Sequence, residues 1–374
     1  MMKVMTIVGT RPELIKLSRV LAELDRCFDH CLVHTGQNYD DELNRVFFDE
    51  LEIRAPDHYL NAAGQTAAET IARVIEKSDR VVVDEKPDAI LLYGDTNSCM
   101  AAIVAKRRKV PVFHMEAGNR CFDDRVPEEI NRRIVDHISD INMPLTEHAR
   151  NYLIAEGIRP ETIIKTGSCM QEVLEYYAAK IEASDVLERL GLKSGQYFLV
   201  SAHREENVDA TERLVGLLES LNLLAETYNV PIIFSVHPRT RKRLDELDHG
   251  HVDSRIQFMK AMGFLDYIKL QKQAQCVVSD SGTITEESSL LGFSAVTLRQ
   301  AHERPEGMDQ GTLVMSDVVP SRLLDAVALV SGQYDRGEVV PVVPDYQGGN
   351  VSVQVARVIQ SYTDYIRRTV WREN

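Results

Sequence analysis

The sequence predicts an α/β protein built from two Rossmann-like domains whose parallel sheets face a central cleft. Three observations support this prediction. The chain has 374 residues, more than the roughly 250 that a single core usually accommodates. Short apolar runs alternate with segments of helical periodicity, as in a parallel sheet with crossover helices. The alternation occurs in two series, one in each half of the chain.

The first series occupies the amino-terminal half. Lys3–Val8 is a buried apolar run, a turn containing Gly and Pro follows, and residues 13–24 carry leucines at helical spacing. This is the first strand and helix of a doubly wound sheet. The same pattern predicts further strands at 31–35, 89–93, 110–115 and 141–144, and helices at 97–109, from about 127, and at 147–156.

The second series begins after a charged helical stretch at 171–192. It predicts buried strands at 197–201, 231–236, 276–279 and 295–298. No long Gly/Ser linker separates the two series, so the boundary is expected in a short connection near 167–172. The predicted domains are 1–168, completed by a carboxyl-terminal helix at about 358–374, and 169–357.

Charge and composition exclude several classes of function. The formal net charge is −14, which argues against non-specific binding of nucleic acid. No apolar run reaches the roughly 18 residues that span a bilayer, and the amino terminus lacks the pattern of a secretory signal. We therefore expect a cytoplasmic protein that binds neither nucleic acid nor membrane.

The six cysteines include no CxxC pair, which favours reduced thiols over a disulfide framework. Cys27, His30, Cys31 and His34 have spacings that would share a helix face and could mimic a zinc site. The segment 31–35, however, has the pattern of a strand entering a glycine turn. A metal site is therefore not predicted.

The loop after the first strand, GTRPE, has features of an anion site. Arg11 lies at the expected helix start and Lys16 one turn further, and a helix amino terminus favours negative charge. A turn with a solvated arginine is the alternative. Neither GxGxxG nor GxxxxGK[ST] occurs, so the motifs of a dinucleotide enzyme or a nucleoside triphosphatase are absent.

Three carboxylates follow strands or begin a helix in the first half. Asp95 lies in GDTN, Glu116 in HMEAGNR and Glu128 in PEEINR, and all three should converge on one edge of the cleft. Clustered carboxylates can act as acids and bases near neutral pH, which removing and returning a carbon-bound proton requires. The alternative interpretation is that these acids only mark helix ends and are balanced by Arg132 and Arg133. This alternative suits Glu129 better than Glu116.

The second half repeats this placement with different chemistry. His203 and Arg204, in SAHREEN, follow an apolar strand, so His203 could act as an acid or bind a leaving group. The turn Ser281-Gly282-Thr283, in SDSGTITEES, offers backbone N–H groups to a diphosphate. Glu286, one helical turn later, is suited to the hydroxyls of a ribose.

The motifs GTRPE, GDTN, HMEAGNR, PEEINR, SAHREEN, SDSGTITEES and HERPEG resemble, in order and spacing over almost the whole chain, the non-hydrolysing UDP-N-acetylglucosamine 2-epimerase family. The resemblance implies a glycosyltransferase-B-type fold, UDP bound mainly by the second domain, and a homodimer. It implies no metal and no nicotinamide cofactor. The reaction would remove the C2 proton as UDP leaves C1, and return both to invert C2.

Carried over by position, the resemblance implies roles for individual residues. The catalytic set would be Asp95, Glu116, Glu128 and His203. Arg11 and the Ser281–Thr283 turn would bind diphosphate, Glu286 ribose, and Tyr267 would lie near uracil. The full set expected to bind the UDP-sugar is Arg11, Lys16, Arg132, Arg204, His237, Tyr267, Ser281, Gly282, Thr283, Glu286 and Arg304.

Some segments depart from the pattern of the enzymes that act on UDP-N-acetylglucosamine. NRCFDDRV (119–126) is shorter, GQNYDDEL replaces a GQH-type allosteric loop, and His302 replaces a Thr. These departures resemble the subgroup that converts UDP-2-acetamido-2,6-dideoxy-L-talose to UDP-N-acetyl-L-fucosamine for capsule and O-antigen precursors. The alternatives are the 2-epimerases of UDP-2,3-diacetamido-2,3-dideoxy-glucuronate and UDP-N-acetylglucosamine, and then a glycosyltransferase of the same fold.

Overall fold

The computed structural model describes residues 1–37, 41–236, 238–246, 252–301 and 303–372, without the side chains of 41–45, 205–206 and 238–239. The chain divides into two compact units. The first unit comprises Met1–Tyr176 and Pro344–Asn374, and the second comprises Tyr177–Val343. Each unit contains one sheet.

Strands and helices are numbered along the chain. The strands are β1 Lys3–Val8, β2 Asp29–His34, β3 His58–Tyr59, β4 Ala89–Tyr93, β5 Val112–Met115, β6 Ile141–Met143, β7 Phe198–Ser201, β8 Ile232–Val236, β9 Ile256–Lys260, β10 Cys276–Ser279, β11 Ala295–Leu298 and β12 Val314–Ser316. The helices are α1 Arg11–Cys27, α2 Asp41–Glu50, α3 Ala67–Glu85, α4 Ala101–Arg107, α5 Pro127–Ile138, α6 Glu147–Ala155, α7 Met170–Tyr176, α8 Ala178–Glu182, α9 Val186–Arg189, α10 Glu205–Val208, α11 Thr211–Tyr228, α12 Pro238–Glu246, α13 Phe264–Gln273, α14 Ile284–Leu291, α15 Pro305–Gln310, α16 Pro320–Asp335 and α17 Val351–Thr369. Short 3₁₀ turns occur at Asn97–Met100, Pro160–Thr162 and Pro344–Tyr346.

The first unit is a parallel sheet in the order β3-β2-β1-β4-β5-β6. Helices cover both faces, so its central strands are apolar throughout: every residue of β4 is buried. One face packs against α1 and α17, and the other packs against α3 and α4. The chain reverses its direction of winding between β1 and β4, and ligands of doubly wound sheets bind at the carboxyl ends of the strands there.

The second unit repeats this topology in the order β12-β11-β10-β7-β8-β9, again with parallel pairs. Counted within the unit, this is the same strand order as in the first. The corresponding reversal point lies between β7 and β10, and helices α11 and α16 pack together on one face. The predicted fold class, α/β with two doubly wound parallel sheets of the glycosyltransferase-B-like type, is confirmed.

The first unit boundary, Tyr176/Tyr177, lies some residues after the one expected from the sequence, and the second, Val343/Pro344, lies some residues before it. Helix α7 stays with the first unit because it packs against α1. The return to the first unit begins before α17, because Asp345 binds Lys165 at 2.7 Å and accepts a hydrogen bond from the backbone N–H of Glu147. Helix α17 then packs along α1, with Val355, Ile359 and Ile366 in the core.

Cys31 lies in β2, so the four Cys and His residues between 27 and 34 do not share one helix face. Instead, ligand-type atoms of Cys31, His58 and Glu85 lie within 4.8 Å of one another. Glu85 is already bound by Lys3 at 2.8 Å and by His58 at 2.7 Å, as in an ordinary ion-pair cluster.

Among the residues described, every helix is either too short or too polar to cross a lipid bilayer.

Candidate active site

The reversal point of the first sheet brings a lysine and a glutamate together. Lys16, one turn into α1, places its Nζ 2.5 Å from Oε2 of Glu116, which follows β5. Their side chains are only 4% and 13% exposed, and Tyr93 donates a hydrogen bond of 2.7 Å to the same Glu116 oxygen. The ammonium and the phenol stabilise a carboxylate that has lost most of its hydration.

The backbone at Glu116 is unusual for a residue with a side chain. Its φ is +59°, in the left-handed region that costs about 1–2 kcal/mol for an L-residue. Such conformations persist where the surrounding contacts over-determine them, and they cluster at functional sites. Glu116 therefore projects from a tight turn directly after β5 rather than along the strand.

Asp95, after β4, is held by an arginine from α5. Arg132 on α5 binds Asp95 Oδ2 through Nε at 3.0 Å and through a second guanidinium nitrogen. The same guanidinium donates to Glu129 Oε2 at 2.7 Å. Asn131 adds a 3.0 Å hydrogen bond to the backbone carbonyl of Asp95. Asp95 and Arg132, both expected at the site, thus meet as a bound pair.

Two further residues expected at the site lie on the first turns of α5 and α1. Glu128 is exposed on the first turn of α5, whereas its neighbour Glu129 is buried and bound by Arg132 and Arg133. Consecutive helix residues point about 100° apart, so only one of the two acids can face inward. Arg11, at the start of α1, lies with its guanidinium carbon 5.5 Å from the centroid of the Phe47 ring.

Glu13 is a buried acid at this edge to which the sequence analysis gave no role. Its carboxylate accepts hydrogen bonds from Gly9 N–H at 3.0 Å, from the Thr10 hydroxyl at 2.7 Å and from the Thr96 hydroxyl at 3.2 Å. Burial raises the pKa of Glu13 to about 7, against the lowering effect of these donors. The spacing Thr10-x-x-Glu13, a capping-box pattern, was the available signal.

In the second unit, the buried Asp280 organises the residues after β7. It follows β10 and accepts hydrogen bonds from the backbone N–H groups of His203 and Arg204, each at 3.0 Å, and from the Asn207 amide at 3.1 Å. Nδ1 of His203 also lies 3.2 Å from the Asp280 carboxylate. Because the His203 side chain remains 45% exposed, the ring is oriented by Asp280 and still accessible. No role for Asp280 was predicted from the sequence.

The turn Ser281-Gly282-Thr283 precedes α14 at the same edge. The hydroxyls of Ser281 and Thr283 lie 3.1 Å apart, and a Cβ on Gly282 would lie 2.9 Å from Glu303 Oε1 and 3.9 Å from guanidinium nitrogens of Arg204 and Arg299. The glycine thus allows close approach of the backbone to two arginines. Together with the positive end of a helix dipole, these cations form a site suited to phosphate groups. Arg299 and Glu303 were not expected from the sequence.

Other residues expected to bind the nucleotide surround this turn. Glu286 on α14 is fully buried, and its Oε1 lies 3.9 Å from Arg304. Arg299 and Arg304 line one small pocket with Ser281 and Gly282. The Tyr267 hydroxyl donates to Ser201 at the tip of β7 at 3.0 Å. His237 and His302 lie outside the described residues.

Residues 22–360 match the family described as UDP-N-acetylglucosamine 2-epimerase. The structure of UDP-N-acetylglucosamine 2-epimerase from Rickettsia bellii is similar, with 55% identity, a TM-score of 0.94 and 100% of each chain covered. A Methanocaldococcus jannaschii UDP-GlcNAc 2-epimerase in complex with UDP-GlcNAc and UDP has 33% identity and a TM-score of 0.89, covering 96% of this chain and 100% of that chain. The UDP-2,3-diacetamido-2,3-dideoxy-D-glucuronate 2-epimerase of Pseudomonas aeruginosa is 32% identical, covering 96% of this chain and 99% of its own.

The two parallel sheets, with polar groups at the carboxyl ends of their strands, define an α/β enzyme of the glycosyltransferase-B-like class. The chain belongs to the UDP-N-acetylglucosamine 2-epimerase family, whose members are carbohydrate isomerases. The resemblance found in the sequence motifs is thereby confirmed for the family.

Proposed function

We propose that this protein inverts C2 of a UDP-linked 2-acetamido sugar by eliminating UDP and adding it back. The observation that carries the proposal is the Glu116 carboxylate, held between Lys16 at 2.5 Å and Tyr93 at 2.7 Å at the reversal point of the first sheet. A carboxylate that two donors fix in one orientation is positioned to take a proton from carbon, as a general base must be.

The proposed reaction has two matched steps. A carboxylate takes the proton from C2, the electrons of the C2–H bond form a C1=C2 double bond, and UDP leaves C1 with the electrons of the C1–O bond. The intermediate is a 2-acetamidoglycal, with UDP still held at the site. In the second step UDP adds to C1 while an acid returns a proton to the opposite face of C2, so only C2 is inverted. No oxidant or reductant is required.

We assign the proton-transfer roles to Asp95, Glu116 and Glu128, and the leaving-group role to His203. Support for the first two comes from their positions after β4 and β5, where Arg132 and Lys16 hold them. His203 is supported by the Asp280 contact, which fixes the ring while leaving it accessible. Glu128 is retained because its motif matches that of the family, although its side chain is exposed.

The UDP groups are proposed to bind mainly to the second unit. The Ser281–Thr283 turn, with Arg204 and Arg304, would neutralise the diphosphate. Glu286 would accept hydrogen bonds from the ribose hydroxyls, and Tyr267 would contact uracil. His237 is also expected to bind the UDP-sugar. The expected set of binding residues also includes Arg11, Lys16 and Arg132 of the first unit. We further propose a cytoplasmic homodimer.

For the sugar, we propose UDP-2-acetamido-2,6-dideoxy-L-talose as substrate and UDP-N-acetyl-L-fucosamine as product, in capsule or O-antigen precursor synthesis. The support is the altered segment 119–126 between Glu116 and Glu128, with Cys121 and Phe122 bound through their backbone N–H groups to Glu129. UDP-N-acetylglucosamine is the second candidate, because the 55% identical Rickettsia bellii protein carries that name. The diacetamido-glucuronate of the Pseudomonas aeruginosa relative is the third.

The experiment is proton NMR of the purified protein with each of the three UDP-sugars in deuterium oxide, without added metal or NAD. Inversion with deuterium incorporated at C2 is the expected result for the L-talose compound. Glu116→Gln should abolish incorporation, whereas Glu161→Gln, at an exposed acid paired with Arg159, should not. If deuterium is incorporated with only one of the other two sugars, that sugar replaces the L-talose compound as the proposed substrate. Incorporation with none would contradict the epimerase proposal.

A further inference from the structure

A buried charged cluster lies behind the two loops that carry Asp95 and Glu116. His114 on β5, Asp136 on α5 and Arg120 are each at most 1% exposed. Nδ1 of His114 lies 3.0 Å from Asp136 Oδ1, and Arg120 donates to Asp136 Oδ2 at 2.7 Å. Taking three charged groups out of water costs several kcal/mol per ion unless each is closely paired. The cluster therefore needs an explanation beyond packing.

The contacts of this cluster lead to both catalytic loops. Nε2 of His114 lies 2.7 Å from the backbone carbonyl oxygen of Gly94, the residue directly before Asp95. The Asp136 carboxylate accepts the backbone N–H of Gly118 at 3.1 and 3.2 Å. Gly118 is the second residue after Glu116, in the turn that holds Glu116 at φ +59°. One ion pair thus holds the loop after β4 and the turn after β5.

The surroundings of the His114 ring favour a protonated imidazole. A neutral ring carries one N–H, yet both ring nitrogens of His114 face oxygen acceptors. Burial lowers the pKa of His114, but Asp136, the Gly94 carbonyl and the charge of Asp95 together hold it above its ordinary value. The charged groups around the ring are Asp136 from α5 and Asp95 from the loop after β4, with Arg120 bound to the same Asp136 carboxylate.

We propose that His114 and Asp136 form a positioning pair for the epimerase reaction, holding the loops of Asp95 and Glu116 without touching the substrate. The inference rests on the proposed catalytic roles of those two acids. Its physical basis is that a catalytic carboxylate must be held within a fraction of an ångström, and that displacement by about 1 Å can lower a rate by about 100-fold.

The main variant is His114→Phe, which keeps a ring of similar shape and removes both contacts. We expect kcat to fall by about 100-fold while the affinity for UDP, measured by calorimetry, stays unchanged. His114→Gln, which can still donate to the Gly94 carbonyl, should recover part of kcat. The matched control is His137→Gln, on the same helix as Asp136, where His137 is half exposed and lies 3.2 Å from Glu156. It should leave kcat unchanged.

The pH profile separates positioning from a purely structural role. Both His114 contacts are made while the ring is protonated, and one of them is lost as pH rises through its raised pKa, because the neutral ring keeps a single N–H. Asp136→Asn removes the charge that favours protonation, so the alkaline limb of kcat should move to lower pH. Because Arg120 loses one of its two acidic partners in this variant, circular dichroism must first show that it folds. His114→Gln, which cannot titrate, should lose that alkaline limb and serves if Asp136→Asn does not fold.

The inference and the proposed function can fail separately. If wild-type protein epimerises a UDP-sugar and His114→Phe matches its kcat, the positioning pair is wrong while the epimerase stands. If wild type incorporates no deuterium from any of the three sugars, the proposed function is wrong. In that case ¹⁵N NMR of the His114 ring still tests the pair: two protonated ring nitrogens at neutral pH would support it, and one would overturn it.

Discussion

Glu13 illustrates how burial changes the behaviour of a carboxyl group at the edge of the first sheet. It is 2% exposed and accepts three hydrogen bonds, from Gly9, Thr10 and Thr96. These bonds join the loop after β1, which carries Arg11, to the loop after β4, which carries Asp95. Desolvation dominates its titration, because burial raises the pKa of Glu13 more than these hydrogen bonds lower it.

We predict that Glu13→Gln makes the stability of the protein less dependent on pH between about 5 and 8. The pKa of Glu13 is raised from 4.5 to about 7, so between these values the folded state holds a proton that the unfolded state has lost. Stability from this group is therefore greatest at low pH and falls as pH rises toward 7. The loss is at most on the order of 3 kcal/mol.

Urea unfolding of wild type and Glu13→Gln at pH 5 and pH 8 measures this effect. The free energy of unfolding of wild type minus that of Glu13→Gln should be smaller at pH 8 than at pH 5. A difference that is the same at both pH values would show that Glu13 titrates normally.

At the scale of elements, the turn between β5 and α5 is held against α6 by a glycine. Gly118 has φ +82°, and a Cβ there would lie 2.5 Å from the Ala149 carbonyl oxygen and 2.8 Å from Leu153 Cγ. Gly157, at the end of α6, has nearly the same φ, +88°, but no atom would lie within 4 Å of its Cβ. Both glycines therefore adopt a left-handed backbone conformation, but only Gly118 is packed closely against other atoms.

We predict that Gly118→Ala lowers both thermal stability and kcat more than Gly157→Ala. Both substitutions incur the left-handed backbone cost of about 1–2 kcal/mol. Only Gly118→Ala must also push the Glu116 turn away from α6 and strain the Gly118 N–H bond to Asp136. Melting curves and turnover of the two variants give the comparison. Equal losses would mean that close packing against α6 does not set the position of Glu116.

At the scale of the whole molecule, each unit has its own hydrophobic core. The first unit includes the last helix of the chain, because α17 buries Val355, Ile359 and Ile366 beside α1. The second unit has separate clusters on the two faces of its sheet. Loss of a core side chain should therefore weaken one unit selectively.

We predict that Ile359→Ala destabilises the first unit by about 2–5 kcal/mol, although residue 359 is far along the chain from β1. Hydrogen exchange followed by mass spectrometry should show lost protection in residues 1–176 and not in 177–343. Ile233→Ala, which removes a fully buried side chain from β8, is the reciprocal control. Exchange that rises equally in both units in either variant would contradict separate cores.

Much of the fold was predictable from local pattern. β1, β4, β10 and β11 coincide with predicted strands, because a buried parallel strand is a short apolar run bounded by turn residues. The edge strand β3, with two residues, has too short a pattern to detect. Helix α16 was not predicted from the sequence either.

The sequence alone determined the fold class and the loops that would carry chemistry, since strand period and the residues that follow each strand are local properties. Its seven motifs also determined the family. Only the tertiary structure decided which polar groups meet: Lys16 with Glu116, Asp280 with the His203 loop, and His114 with Asp136. It also decided that Glu129 is buried and Glu128 exposed. The physical reason is that pairing and desolvation depend on the packing of elements far apart in the chain, which no local spacing records.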